Sequence, residues 1–424
     1  MNKCVDFLIK LKPEHIFLCL GIFFGLLFMV ITPIFQVPDE PMHLLRACEV
    51  SNLVIHNDKT GDFTKDLLPN RKLLLRKNCA QFQKFKNINH YTDLLEFKNL
   101  NYTHNNSGYS FILYLPSAIG LKITSCITTN PYIQFYSARF FNLAVWLALT
   151  FFAIKITPFK WQFLICALFP ITVYEGMSLS ADSINLGFVF IYIGYIFSLA
   201  YGENKNIKPF ILMTLFSVLF KGIFLFSLLF LLVPKSKINN KFLVFLPLFS
   251  IGAILQNILC SNSYMLIGDN IDVETRKLLF FTHPAYVLKL FINTFLHKTC
   301  FYLQSSMFRL GWLEIEPNPI SVLLLYFSYL ISSFIDSIRV KIADRIFIVI
   351  FNSIFILLTT ALYFLTYSPL ESGIIIGTQG RYFIPLHLSF AAVIQNYFKI
   401  HTNYLKLFIL SIIILNLIYA SFLI

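Results

Sequence analysis

Short-spaced cysteine pairs are missing from this chain. Its eight cysteines stand apart, at Cys4, Cys19, Cys48, Cys79, Cys126, Cys166, Cys260 and Cys300, which excludes a zinc or redox centre of the paired-cysteine kind. Most read as small buried apolar residues, although Cys48 and Cys79 share one polar stretch and could join in a disulfide if that stretch faces an oxidising compartment. Charge is scarce too. Only 13% of the 424 residues are charged against 57% hydrophobic, and this excludes an ordinary solvated globular domain. Internal repeats and low-complexity tracts are also missing, which excludes a solenoid or a linker-rich chain. No small-x-small cleavage site follows the first apolar block before Pro33. Lys3, Lys10 and Lys12 therefore introduce an uncleaved anchor with its N-terminus inside, rather than a signal peptide.

What the chain does have is apolar blocks long enough to cross a bilayer, and they predict an all-α polytopic membrane protein. A window of about 20 residues gives about eleven spans: 15–34, 134–155, 161–178, 183–201, 208–220, 222–233, 242–260, 319–336, 346–366, 382–398 and 404–423. In domain terms this is an anchor (1–34), a first outer loop with an interfacial helix (35–133), a helical bundle (134–260), a second outer region (261–318) and C-terminal spans (319–424). The net charge of +13 comes from lysines and arginines dispersed among short connections, such as Lys155 with Lys160, Lys205 with Lys208, Lys235 with Lys237 and Lys241, and Arg339 with Lys341 and Arg345. That pattern sets orientation by the positive-inside bias and excludes a nucleic-acid surface. Residues 207–233 have basic flanks on both sides, so the chain is expected to cross twice there, with Lys221 at an outer turn.

With this topology the unusual polar residues fall on the outer side. Asp39 and Glu40 stand in Pro38-Asp39-Glu40-Pro41-Met42-His43-Leu44-Leu45-Arg46, just after the first span, with His43 and Arg46 within about one helical turn. Carboxylates held at a bilayer edge are costly to desolvate, so a base or a divalent-ion ligand is one reading. A helix start that uses its acids as dipole partners is the other. Asp182, in Ser180-Ala181-Asp182-Ser183, either serves the site or caps a helix. Lys221 suits a lipid-borne phosphate or simply snorkels. Arg381 and Tyr382, in Gly377-Thr378-Gln379-Gly380-Arg381-Tyr382, could bind phosphate oxygens in pairs, with glycines that let a ligand approach the backbone, or could anchor a helix end beside an aromatic belt. Glu314 and Glu316 lie beside Trp312, which could stack on a sugar or serve as an interfacial aromatic. Residues 108–127 are expected to lie in the interface, and 285–308 to form an amphipathic surface helix.

The fragments PDEPMHLLRA, YLPSAIGLKI, YSARFFNLAVWL, SLSADSINLGF, LFKGIFLF and TQGRYFIPL, in that order and over most of the chain, resemble an uncharacterised family of bacterial multi-pass membrane proteins related to the GT-C glycosyltransferases. The resemblance implies an enzyme of the cytoplasmic membrane that takes a sugar from a polyprenyl-phosphate-linked donor and transfers it to a glycan or lipid acceptor on the outer face. It implies Asp39 as base, Glu40 supporting it or helping to hold a divalent cation, Lys221 and Arg381 at the carrier phosphate, and His43, Arg46, Asp182 and Tyr382 in the substrate-binding set. The acidic motif departs from the DExxY form of aminoarabinose and mannosyl transferases by placing His43 at the tyrosine position, which puts acceptor handling in doubt. A flippase or transporter of lipid-linked glycans is the competing class. A polymerase or ligase acting on such glycans would share the chemistry.

Overall fold

The computed structural model describes residues 11–53, 73–74, 94–95, 110–220, 222–238, 240–260, 272–395, 398 and 403–424. It is a helical bundle. The first helix, α1 (Pro13–Ile31), takes Pro13 in its first turn, where a missing N–H costs nothing, and stops before Pro33. After a tight turn come α2 (Glu40–Ser51), a 3-10 turn at Phe111–Tyr114, and α3 (Leu115–Ile127). Between α2 and that turn, the two-residue strands Leu73–Leu74 and Leu94–Leu95 pair antiparallel. The 26-residue α4 (Pro131–Ile156) folds back along α3. It also packs on α1, where Trp146 meets Phe17 edge-on at 5.5 Å.

The expected span 161–178 is instead two short helices, α5 (Lys160–Ala167) and α6 (Pro170–Gly176). Pro170 forces Phe169 into an extended conformation (φ −59°, ψ 136°), and the first helix ends before it. From Trp161 through Gly176 every residue of the pair is buried, so these helices form the centre of the bundle rather than its lipid face. Next come α7 (Ala181–Tyr201), capped by the Ser180 hydroxyl, then α8 (Lys208–Ser217) and a 3-10 segment at Ile223–Leu232. Lys237 then donates to the carbonyls of Leu199 and Gly202, so the chain has returned to the end it left. Ten α-helical residues rise about 15 Å and ten 3-10 residues about 20 Å, against about 30 Å of hydrocarbon. The two crossings expected between 207 and 233 are therefore replaced by a hairpin shorter than a bilayer.

The second half contains α9 (Lys241–Cys260, with Pro247 inside), then α10 (Val273–Thr282) and α11 (Pro284–Met307) bent by 104° at His283. It continues through α12 (Pro319–Ile331), α13 (Ser333–Asp336), α14 (Ile342–Thr366), α15 (Ile384–Phe390) and α16 (Asn403–Leu423). By length and composition, six helical stretches among the described residues can cross a membrane, or seven if α10 and α11 are one bent span. They are α1, α4, α7, α12 with α13, α14 and α16. Among the described residues, then, six or seven stretches meet this measure where about eleven spans are expected from the sequence.

The bundle has two chemically different ends. At one, Lys160 pairs with Glu14, Asp336 accepts from the Trp161 N–H, Arg345 donates to the Val393 and Gln395 carbonyls, and Lys406 sits over the Trp161 ring. At the other lie the turn after α1, the start of α4, the end of α6, the start of α7 and the turn before α15.

Candidate functional site

The turn joining α1 to α2 is built around two residues with left-handed backbones, Phe35 (φ 67°) and Asp39 (φ 61°). For residues other than glycine such conformations cost of order 1–3 kcal/mol, and they persist only where the surroundings over-determine them. The surroundings here do. The Tyr174 hydroxyl donates to the Gln36 carbonyl at 3.1 Å, Trp312 Nε1 donates to the Phe35 carbonyl at 3.2 Å, and the Phe35 N–H donates to Glu40 at 3.0 Å. Trp312 thus grips the turn through its indole N–H. The effect is to set the Asp39 carboxylate, 54% exposed, at the mouth of the bundle end.

Glu40 has a different fate. Its carboxylate is fully buried against Arg139, which donates Nε to Oε1 at 2.8 Å and Nη2 to Oε2 at 2.7 Å. The Leu179 and Phe35 N–H groups complete it at 3.1 and 3.0 Å. An ionised carboxylate has about four lone-pair sites, and four donors fill them, which leaves none for a substrate proton or a metal ion. Arg139 is equally saturated, since its remaining N–H groups reach the carbonyls of Met29, Thr32 and Pro33. The expectation that Glu40 supports the base or holds a cation therefore gives way to a structural role: the pair pins the end of α1, the start of α2 and the turn before α7 onto α4.

Arg381 arrives on a short 3-10 turn (Gly380–Phe383) and is buried. Its Nη1 donates to Glu175 Oε1 at 2.9 Å, and its Nη2 lies 3.6 Å from Asp39 Oδ2. Residues far apart in the chain thus converge on one point. Asp182 acts electrostatically on both Glu175 and Arg381. It is not the helix cap. Ser180 fills that position, accepting from the Asp182 N–H, so the Asp182 carboxylate is left to the site. Tyr382 lies beside the guanidinium, 5.6 Å from its carbon, and stacks on Tyr363.

The glycines around Arg381 serve packing rather than ligand approach. A side chain on Gly380 would strike the Tyr302 carbonyl and the Ser305 hydroxyl of α11, which itself accepts from the Gly380 N–H at 2.9 Å. Gly377, at φ 97°, lies against the rings of Tyr363 and Tyr367. His43 and Arg46 point elsewhere than Asp39: His43 Nδ1 is 2.9 Å from the Tyr114 hydroxyl, and Arg46 pairs with Glu49 at 2.6 Å, both buried. Glu316 pairs with Arg309. Lys221 lies outside the described residues, as does Cys79. Among the described residues, no group of three or more His, Cys, Asp and Glu side chains is placed to hold a metal ion.

Two residues at the centre of this arrangement were not singled out from the sequence. Arg139 falls within YSARFFNLAVWL, and Glu175 is the lone acid of the apolar run 161–178. An ionisable residue inside an apolar span is itself the signal that could have found both.

No curated protein and no solved structure matches the chain significantly. One family model does, over residues 22–390, which takes in the strained turn, Arg139, Glu175, Asp182 and Arg381 alike. The chain belongs to the DUF2142 family, described as predicted membrane proteins.

Proposed function

We propose that this protein is an integral membrane glycosyltransferase. In this reading it moves a sugar from a polyprenyl-phosphate-linked donor to a glycan or lipid acceptor. In this reading the site faces the extracytoplasmic side of a bacterial cytoplasmic membrane, because the short basic connections that carry Lys160, Lys237 and Arg345 lie at the opposite end of the bundle. One observation carries the reading: an exposed carboxylate, Asp39, held on strained backbone 3.6 Å from the buried guanidinium of Arg381.

Glycosyl transfer needs this division of charge. The acceptor hydroxyl gives its proton to Asp39 as its oxygen attacks the anomeric carbon, and the bond from that carbon to the phosphate oxygen breaks, leaving its electron pair on the phosphate. Arg381, which stays protonated in a protein, meets the oxygens on which negative charge develops. Asp182 and Tyr382 border the same point and contact the substrate. A flippase would place ionisable groups near mid-depth, whereas these lie together at one end.

The test is Asp39→Asn, which keeps the shape and removes the base. Turnover of a lipid-phosphate sugar by the purified variant should fall about 10²- to 10⁴-fold with the thermal melt unchanged. Near-normal turnover would remove Asp39 from the base role.

A further inference from the structure

Arg139 and Arg381 are both buried arginines paired with a buried glutamate, but they use different edges of the guanidinium. Arg139 gives its Nε–Nη2 edge to Glu40 as a two-pronged fork. Arg381 gives Glu175 only Nη1, at 2.9 Å. On its other edge, among the described residues, Nε has no hydrogen-bond partner although it is buried, and Nη2 meets only Asp39, at 3.6 Å, beyond hydrogen-bond length. A buried charged donor without an acceptor is costly, more so than its neutral counterpart. Glu175 is buried as well, and its Oε2 has no partner among the described residues, so the pair is joined by a single contact where a fork was available.

We propose that Glu175 is a positioning residue for Arg381. By engaging Nη1 alone, it turns the guanidinium so that the Nε–Nη2 edge stands beside Asp39 as a two-pronged seat for a phosphodiester oxyanion. The inference rests on the reading above that Arg381 meets the donor's phosphate, and it adds the edge and the residue that sets it. Two parallel N–H groups match two phosphate oxygens in a way that a lysine ammonium cannot. The exposed Asp39 side chain, not fixed by a hydrogen bond to Arg381, can yield Nη2 as the anion arrives. Glu175, buried on α6, stays in place and keeps the fork aimed.

The probe is geranyl methyl phosphate, a singly charged prenyl phosphodiester, titrated calorimetrically into purified protein, with dimethyl phosphate as the arm without a prenyl chain. Arg381→Lys removes the fork and keeps the charge. Glu175→Leu frees Nη1, while Glu175→Gln keeps a carbonyl that can still accept from it. Loss of one charge-assisted prong corresponds to about tenfold to hundredfold weaker binding. That loss is expected for Arg381→Lys and for Glu175→Leu, with Glu175→Gln within about threefold of the parent, a difference of well under 1.4 kcal/mol. In the ¹⁵N spectrum, the Arg381 Nε resonance should move on adding the probe to the parent and to Glu175→Gln, and stay still in Glu175→Leu.

If Arg381→Lys weakens binding and Glu175→Leu does not, the positioning role is wrong while the phosphate reading stands. If no variant at Arg381 affects binding, or the parent does not bind the probe, both fall. If Glu175→Leu does not fold, an unmoved Nε resonance in Glu175→Gln that nonetheless binds would overturn the proposal. Equal binding of dimethyl phosphate would uphold the seat and assign it to phosphodiesters generally, whereas weaker binding would assign it to the lipid-borne form.

Discussion

At the scale of single residues, Asp39 and Glu40 are neighbours in sequence with opposite assignments, one exposed on strained backbone and one buried under four donors. Mutation should separate them. Removing one partner of a buried, hydrogen-bonded pair leaves an uncompensated charge, so Glu40→Ala or Arg139→Ala should cost about 3–5 kcal/mol. In detergent-solubilised protein this would appear as a much lowered melting temperature and poor yield, while Asp39→Asn melts with the parent. A Glu40→Ala protein that melts normally would show that the pair is not what fixes the turn. The acids and Arg381 were legible in the sequence because ionisable residues at the edges of apolar runs are conspicuous. Their partners were not. Glu40 finds Arg139 across 99 positions and Arg381 finds Glu175 across 206, and no local pattern encodes such pairings.

At the scale of elements, the site depends on how closely the turn carrying Arg381 sits on α11. Gly380→Ala puts a methyl group into the Tyr302 carbonyl and the Ser305 hydroxyl, so the turn must lift away and carry Arg381 with it. Overpacking of this kind typically costs about 1–3 kcal/mol. Activity should fall together with thermal stability, and a Gly380→Ala enzyme with both unchanged would refute the contact. The long helices were readable from hydrophobic length alone. Residues 223–232, IFLFSLLFLL, were not. A uniformly apolar run has no period to separate an α-helix from the 3-10 coil it adopts, and hydrophobicity alone does not show that its ten residues, at about 20 Å, fall short of a bilayer. Pro170 did carry a break signal, which the continuous hydrophobicity around it masked.

At the scale of the whole molecule, glycosyl transfer at the outer face requires the two ends of the bundle to face different compartments. Cys126 is exposed near the end of α3, and Asn206 is exposed beside Tyr195 at the opposite end of α7. In otherwise cysteine-free variants of intact cells, a membrane-impermeant maleimide should label Cys126 and leave Asn206→Cys untouched until the membrane is opened. The reverse pattern would put the site in the cytoplasm. Whether the pairing of Asp39 with Arg381 performs glycosyl transfer can be measured in proteoliposomes. Purified protein is given a radiolabelled polyprenyl-phosphate sugar together with a lipid extract of cell-envelope acceptors, and the products are separated by chromatography. The parent should make a new labelled glycoside, lost in both Asp39→Asn and Arg381→Lys. Labelled donor that crosses the bilayer intact, with no new glycosidic bond, would contradict it.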